Sequence, residues 1–312
     1  MRKKFLGLFV IQLFLALPVF AQTLGQMAVP QTGKIERLEN FPSKHVQARH
    51  VDIWLPDDFE QLKAAGQKFN VLYMHDGQML FDAKTTWNKQ AWHADQTISK
   101  LMKSGQLAPT LIVGIWNNGA YRHSEYFPEK FLRHMTTDAS QTLISKALKD
   151  KPQADAYLRF LVEELKPTID ARYPTSRGPA STAIMGSSMG GLISIYAMNE
   201  YPEIFGGAAG LSTHWIGGYQ PNSHIPLAAY VYLRDHLAKP QTHKIYQDHG
   251  TTELDALYAP YQDFINQIIR DNGYLEKGDH PNFMTRVFEG TGHNEVAWAQ
   301  RLEIPILFLW GK

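Results

Sequence analysis

The 312-residue chain contains no cysteine. That excludes a disulfide framework, a thiolate zinc site, an iron–sulfur cluster and a cysteine nucleophile. Charge of one sign is equally absent, since 31 Lys and Arg residues balance 30 Asp and Glu for a net +1, with no basic run. A nucleic-acid partner is therefore not expected. Charged residues are sparse at 20% and aromatics reach 12%, the balance of an ordered globular protein large enough to bury a sizeable core. Apolar runs of membrane-spanning length are also missing. The longest, at 5–20, is about 16 residues, short of the roughly 20 a spanning helix needs, and Pro18 interrupts it.

That run follows Met1-Arg2-Lys3-Lys4 and precedes Val19-Phe20-Ala21, with small residues at −3 and −1. The layout is that of a secretory signal peptide, residues 1–21, cleaved before Gln22, and it predicts export to a periplasm or beyond. A net +1 less the three basic residues of the leader leaves −2. Residues 22–40 are polar and weakly patterned and read as a short lead-in. No repeat or composition shift divides residues 41–312, which are expected to form one domain.

Apolar runs recur at 46–55, 69–75, 111–115, 182–185, 207–211, 243–247 and 283–288. Helical spacing lies between them, as in Tyr157, Leu158, Leu161, Val162, Leu165 and Ile169, and in Tyr261, Phe264, Ile265 and Ile268. Strands alternating with helices predict an α/β fold with a mostly parallel sheet covered on both faces. Ligands of such sheets bind beyond the carboxyl ends of the strands.

Gly186-Ser187-Ser188-Met189-Gly190 lies between the strand at 182–185 and a small-residue helix. This G-x-S-x-G pattern predicts a sharp strand-to-helix turn that exposes Ser188 as a nucleophile at a helix N-terminus. Serine needs a base. In the chain order Ser, acid, His, the base is expected after the last strand, where His293 stands between Gly292 and Asn294; His280 precedes that strand, at the wrong end. The acid is expected in the loop after 243–247, which carries Asp248, Glu253 and Asp255. Glu253, three residues beyond Gly250, has the favoured spacing. Asp255 reads as a helix start and Asp248 as a turn cap, and a Ser–His pair without an acid stays open. Ser212-Thr213-His214-Trp215 ends the strand at 207–211, so Trp215, with Trp87 and Trp92, is a candidate aromatic wall for a sugar or aryl group.

These segments together resemble the putative-esterase family of α/β-hydrolases, which includes S-formylglutathione hydrolase, siderophore and feruloyl esterases and the antigen 85 mycolyltransferases. The likeness runs from about His45 to the C-terminus. It is carried by Tyr73-Met74-His75-Asp76-Gly77-Gln78, Leu80-Phe81-Asp82, Trp87 through Trp92 with Asp95, Val113-Gly114-Ile115, Arg122, Glu125-Tyr126, Pro128 and Gly250-Thr251. The resemblance implies an α/β-hydrolase fold and an oxyanion hole built from the backbone N–H groups of Gln78 and Met189. It implies a secreted serine esterase that needs no cofactor or metal and acts on a small-molecule or saccharide ester. An acyltransferase with a sugar hydroxyl as acceptor, or a non-catalytic binding protein of the same fold, are the alternatives. A metallohydrolase is disfavoured, because there is no H-E-x-x-H and no helix with two histidines at ligand spacing.

Overall fold

The computed structural model describes residues 25–311, so the leader expected at 1–21 lies outside the described residues. Eight strands form one sheet: β1 (Lys34–Phe41), β2 (Arg49–Leu55), β3 (Asn70–His75), β4 (Thr110–Ile115), β5 (Thr182–Ser187), β6 (Gly207–Leu211), β7 (Lys244–Gly250) and β8 (Phe283–Phe288). Their order is β1-β2-β4-β3-β5-β6-β7-β8. β2 runs antiparallel to both β1 and β4, and every other pair is parallel.

The central strands read as continuous apolar runs because helices cover both faces. Along β3, Val71 and Tyr73 enter one core cluster, while Leu72 and Met74 enter the other. Successive side chains point to opposite faces, so both faces must be apolar. The helix Met189–Glu200, after β5, is buried over nearly all of its length.

The chain steps from β3 outward to β4, then returns to place β5 on the other side of β3. The loops after β3 and β5 therefore flank the point where strand order reverses, which is where a crevice opens in sheets of this kind.

Three sequence expectations change. The lead-in at 22–40 holds most of β1, an edge strand whose alternation is polar on both sides; it pairs with β2 from Lys34↔Leu55 to Leu38↔Val51. Arg37 on it forms a buried ion pair with Asp52 at 2.7 Å. β7 runs three residues past its expected end, so Asp248 lies inside a strand and Gly250 pairs with Phe288. In the helix Ala259–Asp271, Phe264 faces outward at 54% exposure and packs on Tyr230, while Ile265 and Ile269 are buried. Among the described residues no helix is long and apolar enough to cross a membrane.

Candidate active site

Ser188 stands between β5 and the helix Met189–Glu200 with φ 57° and ψ −125°. A non-glycine residue holds positive φ only when its surroundings over-determine it. Here the Ser188 N–H donates to the Leu211 carbonyl at 2.9 Å, and its own carbonyl accepts from Gly191, Leu192 and His214. The glycines let the turn close. A Cβ on Gly186 would sit 2.7 Å from the Gly190 backbone, and one on Gly191 2.9 Å from Gly210 Cα. Gly190 is less confined, with His75 Cβ at 3.3 Å, so the crowding falls on 186 and 191 rather than evenly on the motif's two glycines.

His293 follows β8 and lines the same cleft as Ser188, a volume of about 750 Å³. Its Nδ1 lies 2.6 Å from Asp255 Oδ1. A carboxylate only accepts, so Nδ1 carries the proton and Nε2 is left to act as a base. Tyr258 and Trp298 stand edge-on to the ring at 5.7 and 5.1 Å and fix its plane.

The carboxylate on the imidazole is thus Asp255, which corrects the expectation for Glu253. β7 extends to Gly250, and the short turn Glu253–Leu257 then swings Asp255 inward beneath His293. Asp255 is buried, and its Oδ2 accepts from Ser212 Oγ and from Gly250 N–H, both at 2.6 Å. Burial pushes this carboxyl up, but the His293 bond and charge, with Ser212 and Gly250, hold it below its ordinary value. Glu253 is exposed; its carboxylate accepts the His293 backbone N–H at 2.7 Å and rests on Gly292, clamping the loop. Asp248 is a buried partner of Arg301 at 2.9 Å and accepts from Tyr246 and from Ser212 N–H. Arg301 also reaches Ser212 Oγ at 2.9 Å, so an ionic network underpins Asp255 from below.

Across the crevice, the turn after β3 is equally fixed. Asp76 is left-handed at φ 56°, and a Cβ on Gly77 would lie 2.5 Å from the Gly114 backbone. Arg122 grips both Asp76 oxygens at 2.7 and 2.6 Å, and Asn117 adds a third bond. Burial raises the Asp76 carboxyl, but the Arg122 guanidinium and Asn117 outweigh it and leave it depressed. Gln78 and Met189 both line the cleft. Among the described residues neither backbone N–H has a hydrogen-bond partner outside its own helical turn.

Of the three tryptophans, Trp87 lines the cleft at 68% exposure. Trp92 lines it while packing on Trp298 at 5.7 Å. Trp215 does not belong to a wall. It turns into the core at 1% exposure, and its indole N–H donates to Gln247 at 3.0 Å. Tyr219, exposed at 77%, and Trp298 line the cleft without having been singled out. Trp298 follows His293 at a spacing that puts it on the next helix, a signal the sequence did carry. Tyr219 sits in a loop with no such signal. Among the described residues no three His, Asp or Glu side chains converge at metal-ligating spacing.

A serine on a strained strand-to-helix elbow, beside a carboxylate-held imidazole at the switch point of a mostly parallel sheet, is the layout of an α/β-hydrolase. The family described as "Putative esterase" matches residues 44–306, and the chain belongs to it, a carboxylic ester hydrolase by class. Solved structures share the fold. A ferulic acid esterase superposes with a TM-score of 0.63 at 20% identity, over 89% of this chain and 98% of its own. The enterobactin esterase FES from Shigella flexneri gives 0.62 at 18%, over 91% of this chain, which spans 60% of that longer protein. An IroE-like serine hydrolase from Shewanella oneidensis gives 0.60 at 19%, over 89% and 79%. The uncharacterized protein YbbA of Bacillus subtilis (strain 168) is 22% identical over 271 residues, 85% of this chain and 93% of YbbA.

Proposed function

We propose that the protein is an exported serine esterase that cleaves carboxylic esters through an acyl-enzyme on Ser188. The observation that carries this reading is the buried Asp255 on His293 Nδ1, which leaves Nε2 as the basic nitrogen in the cleft that Ser188 lines. His293 Nε2 takes the Ser188 proton as Oγ attacks the acyl carbon. The carbonyl π electrons move onto oxygen, and the N–H groups of Gln78 and Met189 receive that charge. Each such donor is worth about 3–4 kcal/mol. Collapse expels the alcohol, which takes the proton from His293. Water then repeats the sequence, giving its proton to His293 while its oxygen attacks the acyl-enzyme, and the acid leaves as Ser188 is re-protonated. Asp255 stabilises the imidazolium at each turn.

Trp87 and Tyr219, exposed around the cleft, offer flat faces to an aryl or sugar group of the ester. The basic residues and short apolar run at 1–21 support export.

An ester panel from acetyl to long-chain acyl, with feruloyl sugars, a thioester and a siderophore trilactone, tests this reading beside Ser188→Ala. The variant should be inert and unlabelled by a fluorophosphonate probe, with the fold retained. Ester turnover by Ser188→Ala above about a hundredth of wild type would place the nucleophile elsewhere.

A further inference from the structure

One charged side chain in the cleft has no part in that mechanism. Glu295 stands two residues beyond His293, in the first turn of the helix Glu295–Arg301, and lines the same cleft. Successive Cα atoms are about 3.8 Å apart, so those of the two residues lie within about 8 Å of each other. Glu295 Oε2 accepts from Asn88 Nδ2 at 2.7 Å. That amide cannot turn over, because Asn88 Oδ1 accepts the Gln90 backbone N–H at 3.1 Å. The carboxylate is thus held by a neutral donor. Burial pushes its carboxyl up, and the Asn88 bond opposes that.

No free cation in the cleft answers this charge. Among the described residues Arg122 is the only Lys or Arg lining the cleft, and its Nε and Nη2 both bond to Asp76. Burial, with Arg122 nearby, pushes His123 and His214 down to about 4 and about 3, so both rings are neutral at pH 7. Asp76 and Arg122 cancel, and Glu295 leaves the lining with a negative excess. Trp87, adjacent to Asn88, lines the same cleft at 68% exposure with its ring open to solvent. A carboxylate and an open indole face in one cleft are the chemistry that holds an ammonium group. A flat aryl or sugar group would use the ring and leave the charge unmet.

In the proposed mechanism the leaving alcohol takes its proton from His293, so the alcohol moiety lies on the side of the cleft where Glu295 stands. Given Ser188 and His293 in those roles, we infer that Glu295 and Trp87 select esters whose alcohol carries a cationic group, an amine or quaternary ammonium, and disfavour anionic alcohols. Glu295 determines specificity and takes no part in making or breaking bonds.

The test esterifies the acyl group that the ester panel favours to choline, to its uncharged isostere 3,3-dimethylbutanol and to 4-hydroxybutanoate, with assays at about pH 8. kcat/KM should fall roughly five- to tenfold at each step from cation to neutral to anion, the size of a charge–charge interaction across about 8 Å in a partly screened cleft. Both ratios should shrink toward unity at about 0.5 M salt. Glu295→Gln keeps an oxygen for Asn88 Nδ2 and removes the charge, so it should flatten both ratios at low salt. Trp87→Leu should lower the choline-to-neutral ratio by roughly threefold and leave the neutral-to-anion ratio as it was. A Glu295–Asn88 contact that only ties two segments together would shift the melting temperature and leave the ratios of Glu295→Gln as in wild type, which would overturn the inference. Equal wild-type rates on the three alcohols at low salt, beside an inert Ser188→Ala, would overturn it while the nucleophile assignment stands. Activity in Ser188→Ala, or no turnover of any ester in the panel, would overturn the proposed function and the inference with it.

Discussion

Replacing Asp255 by asparagine preserves the shape of the side chain and reverses the direction of one hydrogen bond. The Asp255 Oδ2 position accepts from the Gly250 backbone N–H at 2.6 Å, a donor that cannot turn over. An amide at 255 must therefore keep its oxygen there and point its NH₂ at His293 Nδ1, now 2.6 Å from Oδ1. His293 is then forced to accept at Nδ1 and to carry its proton on Nε2, the tautomer that cannot take a proton from Ser188. The same reversal costs about 10⁴ in kcat in a triad protease. We expect a loss of roughly 10³–10⁴ in kcat for Asp255→Asn, or about 4–5.5 kcal/mol of barrier. KM and melting temperature should change little.

The neighbouring carboxylates provide the contrast. Glu253→Gln keeps an oxygen for the His293 backbone N–H and should cost a few-fold at most. Asp248→Asn leaves Arg301 buried without its charge, so stability should fall by about 3–5 kcal/mol, with kcat of the folded fraction within a few-fold. Steady-state kinetics and thermal melts on the three variants read both axes. A hundredfold loss in Glu253→Gln beside less than tenfold in Asp255→Asn would refute the tautomer argument. If none of the three falls more than about tenfold, the enzyme works as a Ser188–His293 pair.

Gly186→Val should prevent soluble expression or abolish activity, because a side chain there meets the Gly190 backbone at 2.7 Å; Gly190→Ala, with 3.3 Å to His75 Cβ, should keep measurable turnover, and equal damage in both would count against the elbow geometry. Acid should destabilise the protein well above the carboxylate range. Burial, with Arg122 nearby, pushes both His75 and His214 down to about 3. Below an unfolded value near 6.5 the unfolded chain takes up protons that the folded chain refuses, so stability falls from about pH 6.5 toward 3, by about 1.4 kcal/mol per pH unit for each histidine. Urea midpoints at pH 7 and pH 5 check this, and identical midpoints would show that these rings are not held neutral.

The strand–helix alternation was legible because the central strands are buried on both faces and apolar throughout. β1 was not, because an edge strand with polar residues on both sides, Lys34-Ile35-Glu36-Arg37, carries no apolar period. The elbow could be read from three residues because its physics is local: two glycines and a serine between a strand and a helix. The position of His293 followed from chain order. The choice among Asp248, Glu253 and Asp255 is not local. It depends on β7 pairing with β8 as far as Gly250, and on one short turn that follows. A shift of three residues in where a strand ends moves a different carboxylate under the imidazole. The direction of Trp215 is not local either. The end of a strand near the cleft does not decide whether the next side chain points into the cleft or the core, and Gln247 on β7 supplies a buried acceptor for its indole.

The site gathers its parts from the carboxyl ends of five strands, and their supports differ in a way that bears on what each part must do. The turn after β3 is held by the ion pair of Asp76 with Arg122 and by a glycine packed on backbone, so the Gln78 N–H cannot drift. The elbow after β5 is held by backbone hydrogen bonds of Ser188 to Leu211, Gly191, Leu192 and His214, and by Ser194 Oγ, which donates to the Gly190 carbonyl at 2.7 Å. Asp255, after β7, is held by a fixed backbone donor and by Ser212 at the end of β6, itself bonded to Arg301 and Trp298. His293, which in the proposed mechanism passes a proton in each half-reaction, rides on a loop pinned by the Glu253 carboxylate and by its own bond to Asp255. In the proposed mechanism the oxyanion donors must stay where charge develops, and the imidazole, whose plane Tyr258 and Trp298 fix, must in addition keep one tautomer as it faces first the serine, then the leaving alcohol, then water. Asp255 supplies that tautomer through the one ring nitrogen that never meets substrate.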